Sequence, residues 1–445
     1  MKKVVLTLAG VMAAAAFAPE ASALPVFARQ TGMACSACHF QHFPLLNSFG
    51  RAFKSAGFTM MGAQAKVEGD RLSIPAELNM AMLTSLGYVK DNSTPVAAPT
   101  TGHNAGNGAF YLPGVAGEAS LFVGGRISDF AGFLSEITLA PGAAIDSAKT
   151  AILPEVADGI RAGLVPFATN GQGASYGFEY LNTGANAIHS ITNTVGNPLG
   201  AAPGGNEFIN AVSAQQYIGT ATAADGIALV ANSDHGFINL TKFNMTGIAT
   251  GQGASLGSTY ARLAAVFDVA GWDSAIGVQS WSGSSLNNTG AAADPITGVV
   301  TAGTSIMQSS KATAIDGQMQ GDLGGMPTGF YFSYATAPVD TAVAGGNAFN
   351  AGTLTKSSFN VDAEIGVIPE VATVGAAIRR ANSGVATAAG GNASDNAIYL
   401  TATYKIAQNM LARLSYVKQS GDVWTAAATG ATGSQTTAIN LYTLF

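Results

Sequence analysis

The amino-acid sequence predicts an all-β transmembrane β-barrel of about 16 antiparallel strands, preceded by a small α-helical segment. Charged residues make up only 10% of the 445 residues, while hydrophobic residues reach 48%. A soluble protein normally carries about 25% charged residues. After the N-terminal 23 residues, no apolar run approaches the roughly 18 to 20 residues of a spanning helix. Short alternating stretches fill the chain instead, which is typical of strands with one lipid-facing side.

The first element, residues 1–23, has the features of a secretory signal peptide. Two lysines precede an apolar stretch from Val4 to Ala18, and Ala21-Ser22-Ala23 forms a small-residue cleavage site. An N-terminal membrane anchor is the alternative. We therefore predict three parts: a signal peptide at 1–23, a plug-like helical segment at 24–68 and a porin-like barrel at 69–445.

The second element contains both cysteines of the chain, in the motif C-x-x-C-H at Cys35, Cys38 and His39. This motif is the attachment signature of a c-type haem. The thiols bond to the haem vinyl groups, and the adjacent histidine is the proximal iron ligand. A redox dithiol is the alternative, and a zinc site would need further ligands from scattered residues. We predict one covalent haem c.

A short amphipathic helix follows from Pro44 to about Gly57. Arg51 and Lys54 lie off its apolar stripe, where they would pair with haem propionates or remain solvated. The sixth iron ligand stays open, and a site with no protein ligand is one alternative. His42 follows His39 by three residues, so it projects to the same side and is expected to be a neighbour of the site. The methionine candidates are Met33, Met60, Met61, Met80 and Met82, of which Met60 and Met61 are the best placed.

The barrel strands alternate with period two, as in 357–367 and 395–406. Counting back from Phe445 gives nine strands, at 434–445, 409–419, 395–406, 371–380, 357–367, 327–336, 311–321, 272–282 and 257–267. The first strand begins near residue 73, the fifth ascends through SYGFEYL at 175–181, and two more fall at 207–219 and 236–249. The total is 16, with 14 or 18 strands as the alternatives, and an even number returns both chain ends to the periplasm.

Connection lengths also alternate, with tight turns at 128–129, 268–271, 321–326, 368–370 and 407–409. Longer loops are predicted at roughly 90–116, 141–157, 283–310, 338–356, 381–394 and 420–433. The chain ends on the apolar alternating run TAINLYTLF, which the first strand must cover because an exposed edge recruits other strands. A large soluble β protein is the alternative. The alternation also points nine charges inward: Glu77, Glu136, Arg262, Asp316, Asp362, Glu364, Arg379, Lys405 and Arg413.

Residues 25–58 resemble the N-terminal haem segment of the fused cytochrome-porins of iron(II)-oxidising bacteria, which place one c-type haem ahead of an outer-membrane porin barrel. The matched elements are Phe27 to Gly32, the C-x-x-C-H motif, Pro44, Leu46-Asn47, Phe49 to Arg51, and Phe53-Lys54. The rest of the chain resembles the family in architecture and length only. The resemblance implies that Cys35, Cys38 and His39 hold the haem, and that Arg29, Asn47, Arg51 and Lys54 form its environment.

The same resemblance implies a location in the bacterial outer membrane, extracellular Fe(II) as electron donor and a periplasmic cytochrome as acceptor. Outer-membrane lipid is a further expected partner, and no nucleic acid is expected. Whether the protein is an iron(II) oxidase or an electron-transfer protein stays open. The rival functions are a diffusion porin with a structural or sensory haem segment, a conduit that exports electrons to external acceptors, and a peroxidase-like haem enzyme.

Overall fold

Sixteen antiparallel strands close into one barrel in the computed structural model. The structure describes residues 25–62, 64–70, 72–92, 108–114, 116–139, 144–184, 213–245, 255–289, 292–293, 300–301, 304–425 and 434–445. The predicted signal peptide lies outside these residues. The barrel strands are Met80–Asp91, Ala119–Arg126, Ala131–Thr138, Ala144–Ile152, Ile160–Thr169, Ala224–Ser233, Gly236–Asn244, Ser258–Val269, Trp272–Thr289, Ala312–Asp322, Pro327–Ala337, Lys356–Ile368, Ala372–Ala386, Asn396–Ala407, Met410–Ser420 and Gln435–Leu444.

Four helices lie among the described residues: α1 (Pro25–Thr31), α2 (Cys35–Cys38), α3 (Ser48–Ser55) and α4 (Ala214–Ile218), with 3₁₀ turns at Ala174–Tyr176 and Asp422–Trp424. None of these described helices is long and apolar enough to cross a membrane. Shorter strands flank the barrel strands or pair outside the barrel, at Lys66–Gly69, Leu72–Pro75, Ala109–Pro113, Ala116–Gly117, Glu155–Ala157, Ala292–Ala293, Val300–Thr301, Thr304–Ser309 and Asn392–Ser394.

The barrel closes between its last and first strands. These strands pair antiparallel from Thr436 opposite Asp91 to Leu444 opposite Leu83. Beyond them, the amides of Met82 and Phe445 donate to each other's carbonyls, at 2.7 and 2.8 Å. The terminal apolar strand is therefore covered, as predicted.

The wall is apolar outside and polar inside. Along Gly236–Asn244, Ile238 and Leu240 are exposed on the outer face, while Asn239 and Thr241 are buried in the lumen. Since lipid offers no hydrogen bonds, a closed barrel with an apolar outer face is the β structure that can span it. One end carries short turns at 127–130, 234–235, 270–271 and 408–409, and the other carries longer connections. This is the arrangement of a bacterial outer-membrane barrel, with the short turns in the periplasm.

The nine strands predicted from the C-terminus are confirmed, as are the five tight turns and the total of 16. Six of the nine predicted inward charges are buried in the lumen, at Arg262, Asp316, Asp362, Glu364, Arg379 and Arg413. Of the other three, Glu136 and Lys405 are half-buried and line lumen cavities, whereas Glu77 is exposed and precedes the first barrel strand.

The part of the barrel before residue 236 was predicted wrongly in four places. The first barrel strand begins at Met80, because Leu72–Pro75 pairs with Lys66–Gly69 in a separate hairpin. The predicted loop 141–157 contains the barrel strand Ala144–Ile152. Its lumen face carries Ser147 and Lys149, which obscured the apolar alternation.

The predicted strand through SYGFEYL is a 3₁₀ turn followed by irregular chain inside the lumen. Its aromatic side chains are buried against other parts of the protein. Their alternation therefore does not indicate a lipid-facing strand. The candidate 207–219 is also wrong over its described part, which forms α4, while 207–212 lie outside the described residues. The strand that completes this region is Ala224–Ser233. The predicted total of 16 was still correct, because the number of strands predicted before residue 236 equals the number observed there.

A buried ion cluster fixes the irregular chain at 174–184, here called the inward-folded segment, to the barrel wall. The Arg262 guanidinium donates from Nε to Glu179 Oε2 at 3.0 Å and from Nη2 to Asp316 Oδ1 at 2.9 Å. Thr183 Oγ1 donates to the same carboxylate at 2.6 Å. Arg262 and Asp316 lie on barrel strands, whereas Glu179 and Thr183 lie on the inward-folded segment. The cluster therefore anchors this segment across the middle of the lumen.

We expect Asp316→Ala to destabilise the protein by about 3 to 5 kcal/mol, because removing one partner leaves a buried charge poorly compensated. The free energy of unfolding can be measured by urea titration of vesicle-inserted protein, followed by tryptophan fluorescence. Lys66→Ala is the matched control, since Lys66 and Glu68 form an exposed pair at 2.6 Å, and such pairs contribute about 0 to 1 kcal/mol. Equal losses in the two variants would contradict the anchoring role.

Candidate cofactor site

The C-x-x-C-H motif lies inside the barrel at its periplasmic end. Cys35 to Cys38 form the single turn α2, and the His39 amide donates to the Cys35 carbonyl at 2.9 Å. The Cys35 Sγ lies 3.7 Å from the carbonyl oxygen of Gln408, in the tight turn between two barrel strands. One edge of the motif is therefore at the periplasmic mouth.

Asn47 ties the motif to helix α3. Its side chain accepts a hydrogen bond from the Gly50 amide at 2.9 Å, which caps the helix. The Nδ2 of the same amide group donates to the carbonyls of Ser36 at 3.2 Å and Ala37 at 3.1 Å. One side chain thus satisfies both the helix start and the carbonyls of the motif turn.

Gly50 allows α3 to pack directly on the motif. A Cβ at this position would lie 2.1 Å from the Cys38 carbonyl oxygen and 3.1 Å from Leu46 Cδ2. Both cysteines are half-buried and neither is in a disulfide. The close contact sets where Cys38 and His39 lie relative to the helix.

The His39 imidazole is held in one orientation. Its Nδ1 lies 3.1 Å from the Leu45 carbonyl oxygen, and a proton on Nδ1 leaves Nε2 as the metal-binding nitrogen. Burial lowers the pKa of His39 to about 4, partly opposed by the carbonyl contact. The imidazole is therefore neutral near pH 7, as metal ligation requires.

A cavity opens beside the motif, between the plug and one side of the barrel wall. Its empty volume is about 1340 Å³, which includes the part open to solvent. Cys38 and His39 line it from the plug. The residues that line it from barrel strands are Leu83, Phe122, Leu134, Glu136, Ser147 and Lys149.

Aromatic side chains form one wall of this cavity. The Phe27 and Phe58 rings stack with centroids 5.0 Å apart, and Phe53 meets Phe27 edge-on at 5.0 Å. Phe43 meets the His39 ring edge-on at 5.5 Å. An apolar, aromatic surface next to a neutral histidine fits the face of a porphyrin.

Of the four residues predicted to surround the haem, two lie at the motif or its cavity and two do not. Asn47 supports the motif as described, and Lys54 lines the cavity. Burial lowers the pKa of Lys54, opposed by the nearby Glu179. Arg51 instead pairs with Asp273 on the opposite side of α3, and Arg29 donates to the Met80 carbonyl and lies 5.7 Å from the Phe445 ring centroid. Neither arginine lines the cavity.

The candidate sixth ligands differ in whether they line the cavity. Met33 lines the cavity. Met60 packs in the core cluster around Phe53 and Phe58, and neither it nor Met61 lines the cavity. Met80 and Met82 lie on the outward side of the first barrel strand. His42 does not line this cavity, and its Nε2 lies 2.8 Å from Glu364 Oε1 on the barrel wall.

Sequence reasoning missed the cavity residues supplied by the barrel wall. Lys149 was overlooked because its strand was read as a loop. Leu83, Phe122 and Leu134 are ordinary strand residues whose sequence carries no signal of a cavity. The one available clue was the alternation around Ser147 and Lys149, which places both side chains on the inner face of the wall.

The Cys38 thiol differs from the thiols of redox-active dithiols. Burial and the neighbouring Cys35 raise the pKa of Cys38 to about 11, whereas redox-active dithiols have a lowered thiol pKa. Two thiols on one turn, a neutral histidine and an adjacent apolar cavity are the groups that a c-type haem needs. The residues present therefore fit the group.

No family model and no curated protein matches the chain. The solved structures that resemble it include OmpT of Vibrio cholerae, at 9% identity and a TM-score of 0.46 over 86% of this chain and 100% of that one. Salmonella typhi OmpF in complex with daunomycin matches at 12% identity and 0.44, over 86% and 100%. A mutant Rh. blastica porin matches at 10% identity and 0.44, over 83% and 100%. These likenesses concern the barrel fold alone.

We expect Asn47→Ala to destabilise the plug by about 0.5 to 2 kcal/mol through loss of the helix cap and to leave the Ser36 and Ala37 carbonyls without this donor. Asn47→Asp keeps the cap but cannot donate to those carbonyls. The expected order of unfolding free energies, measured by urea titration, is wild type, Asp, then Ala. A fully stable Asp variant would show that the motif contacts contribute nothing.

Proposed function

We propose that this chain is an outer-membrane cytochrome that accepts electrons from extracellular Fe(II) at one covalent haem and passes them to a periplasmic carrier. The observation that carries the proposal is the C-x-x-C-H turn beside an apolar cavity within the barrel. The barrel provides the route between the two sides of the outer membrane, and the cavity provides space for the cofactor.

Each residue of the motif has a distinct role in this proposal. Cys35 and Cys38 would form the thioether bonds, and His39, whose Nδ1 contacts the Leu45 carbonyl, would bind the iron through Nε2. Met33 is the methionine that lines the cavity and is the candidate for the sixth position. The haem, when bound, supplies reversible one-electron chemistry. The protein residues orient it and keep its faces in apolar surroundings.

The position of Cys35 supports electron exit to the periplasm. Its sulfur lies at the Gln408 turn, on the side of the short connections. A thioether edge at that point is accessible to a soluble carrier, while the cavity extends inward along the wall. The donor end then faces the lumen and the long external loops.

Fe(II) as donor rests on the resemblance of residues 25–58 to cytochrome-porins. The chemistry is consistent with an outer-membrane site, because oxidised iron precipitates at neutral pH. A haem in the barrel lets the cell take the electron while the mineral product forms outside. This argument applies only if Fe(II) is the donor. Without Fe(II), the same architecture would carry electrons outward to external acceptors.

Covalent haem can be tested on purified, detergent-solubilised protein. We expect the wild type to retain haem on a denaturing gel and the Cys35→Ser, Cys38→Ser double variant to lose it. Fe(II) should reduce the wild-type haem rapidly in a stopped-flow spectrophotometer. His39→Ala should alter the spectrum and slow reduction at least tenfold, because it removes the proximal ligand. His235→Gln, an exposed periplasmic histidine, is the control and should match wild type.

Colourless wild-type protein would overturn the haem proposal. A coloured protein that Fe(II) does not reduce, but that reduces external oxidants when supplied with periplasmic electrons, would leave the haem and favour the exporting conduit. A haem enzyme of the peroxidase type would instead consume peroxide with an open sixth position.

A diffusion porin is the second candidate, and the closed 16-strand barrel with longer external connections supports it. The burial of two lumen residues argues against a diffusion porin. Arg51 of the plug and Glu179 of the inward-folded segment are both buried, so protein fills the lumen around each of them. We expect small, infrequent conductance steps from wild-type protein in planar bilayers, and larger ones after deletion of residues 25–62. Large steady conductance from the intact chain would favour the porin.

A further inference from the structure

Lys149 is a buried cation on the barrel wall for which the motif analysis has no role. It lies on the strand Ala144–Ile152, is 5% exposed and lines the cavity beside His39. Its ammonium donates to the Tyr176 carbonyl at 2.9 Å and lies 4.1 Å from the Tyr176 ring centroid. An ammonium has three donors, and within the described part of the chain no carboxylate forms an ion pair with it.

Lys54 faces the same cavity from the plug. It follows Gly50 by four residues on α3, so the two share a helix face about 6 Å apart along the axis. Gly50 touches Cys38, which places Lys54 one turn farther from the motif. The two lysines are close enough for their charges to repel each other. Two like charges in a largely apolar cavity raise the cost of burying each of them.

The carboxylates near these lysines are largely engaged elsewhere. Glu179 attracts Lys54, but its oxygens accept from the Arg262 guanidinium and from the Leu181 amide. Glu136 also lines the cavity, where Gln172 Nε2 donates to its Oε2 at 3.4 Å. Among the described residues, neither of these carboxylates forms an ion pair with Lys149, so Lys149 can pair with a further anion in the cavity.

Haem carries its two propionates on the edge of the ring opposite the two vinyl groups. Thioethers at Cys35 and Cys38 would hold the vinyl edge at the motif, so the propionate edge would lie away from it. Lys54 also lies away from the motif, one helical turn beyond Gly50. We propose that Lys149 of the barrel wall, together with Lys54 of the plug, receives the two propionate carboxylates of the haem. This inference rests on the proposed function, since it assumes the covalent cofactor.

The site is then shared between two parts of the chain. The plug supplies the thioether and iron ligands, and the wall supplies one of two propionate partners. Positive charge beside the haem disfavours the more positive ferric state, so it raises the midpoint potential. Loss of Lys149 should therefore lower the potential without removing the cofactor, because the thioether bonds remain.

The test is a potentiometric titration of the full-length haem protein in detergent, followed by its visible spectrum. We expect Lys149→Gln to lower the midpoint potential, Lys54→Gln to do the same, and Lys149→Arg to restore a value near wild type. Lys242→Gln is the matched control, because Lys242 is exposed on another barrel strand and donates to Thr259 at 2.9 Å. Folding of each variant is checked by heat-modifiable migration on a gel.

A second readout separates a propionate partner from a merely structural lysine. In haem-loaded protein, Lys149→Gln should lower the free energy of unfolding. In the haem-free Cys35→Ser, Cys38→Ser background, the same change should raise it, because it removes a buried charge without an anion. The same sign in both backgrounds would overturn the inference.

The two proposals fail in different ways. A haem-bearing wild type whose potential is unchanged by Lys149→Gln would overturn the propionate inference and leave the cytochrome. A wild type without covalent haem would overturn both. Variants that shift the potential while Lys149→Arg restores it support both.

Discussion

Closure of the barrel between its two ends is the constraint on which the rest of the structure depends. In hydrocarbon, every backbone donor and acceptor of the wall must pair within the protein, so the last strand has to meet the first. The reciprocal hydrogen bonds of Met82 and Phe445 complete that seam. The plug is attached at the same place, because Arg29 donates to the Met80 carbonyl and stacks near the Phe445 ring. Closure therefore sets both the lumen and the position of the plug within it.

The enclosed lumen is what turns a short motif into a site. A turn of four residues has too little surface to bury a large apolar cofactor. In the barrel, the same turn is backed by α3 through Asn47 and Gly50 and faces wall residues such as Leu83 and Leu134. The inward-folded segment limits the space on the other side, where Tyr176 lines the cavity. The lumen thus supplies the apolar surroundings that the plug alone lacks.

The C-terminal two thirds of the barrel followed from local pattern because its tight turns are short and its alternation is regular, as in Lys356–Ile368. The N-terminal third did not. There the wall carries Ser147 and Lys149 on its inner face, and the aromatic run from Tyr176 to Leu181 is buried in the lumen. Alternation reports that two faces differ, and it does not report whether the apolar face meets lipid or protein. The candidate haem ligands could be predicted from the sequence because C-x-x-C-H places all three groups on one turn.

The sequence alone determined the barrel class, the short periplasmic turns, and the identity of Cys35, Cys38 and His39 as the candidate ligands, since each depends on residues close together in the chain. Tertiary structure decided the surroundings of that motif. It directed Lys54 into the cavity and Arg51 away from it, turned Arg29 to the barrel seam, and brought in Lys149 from the wall. These contacts join residues far apart in sequence, and barrel closure with plug docking, which no local pattern encodes, determines which of them meet.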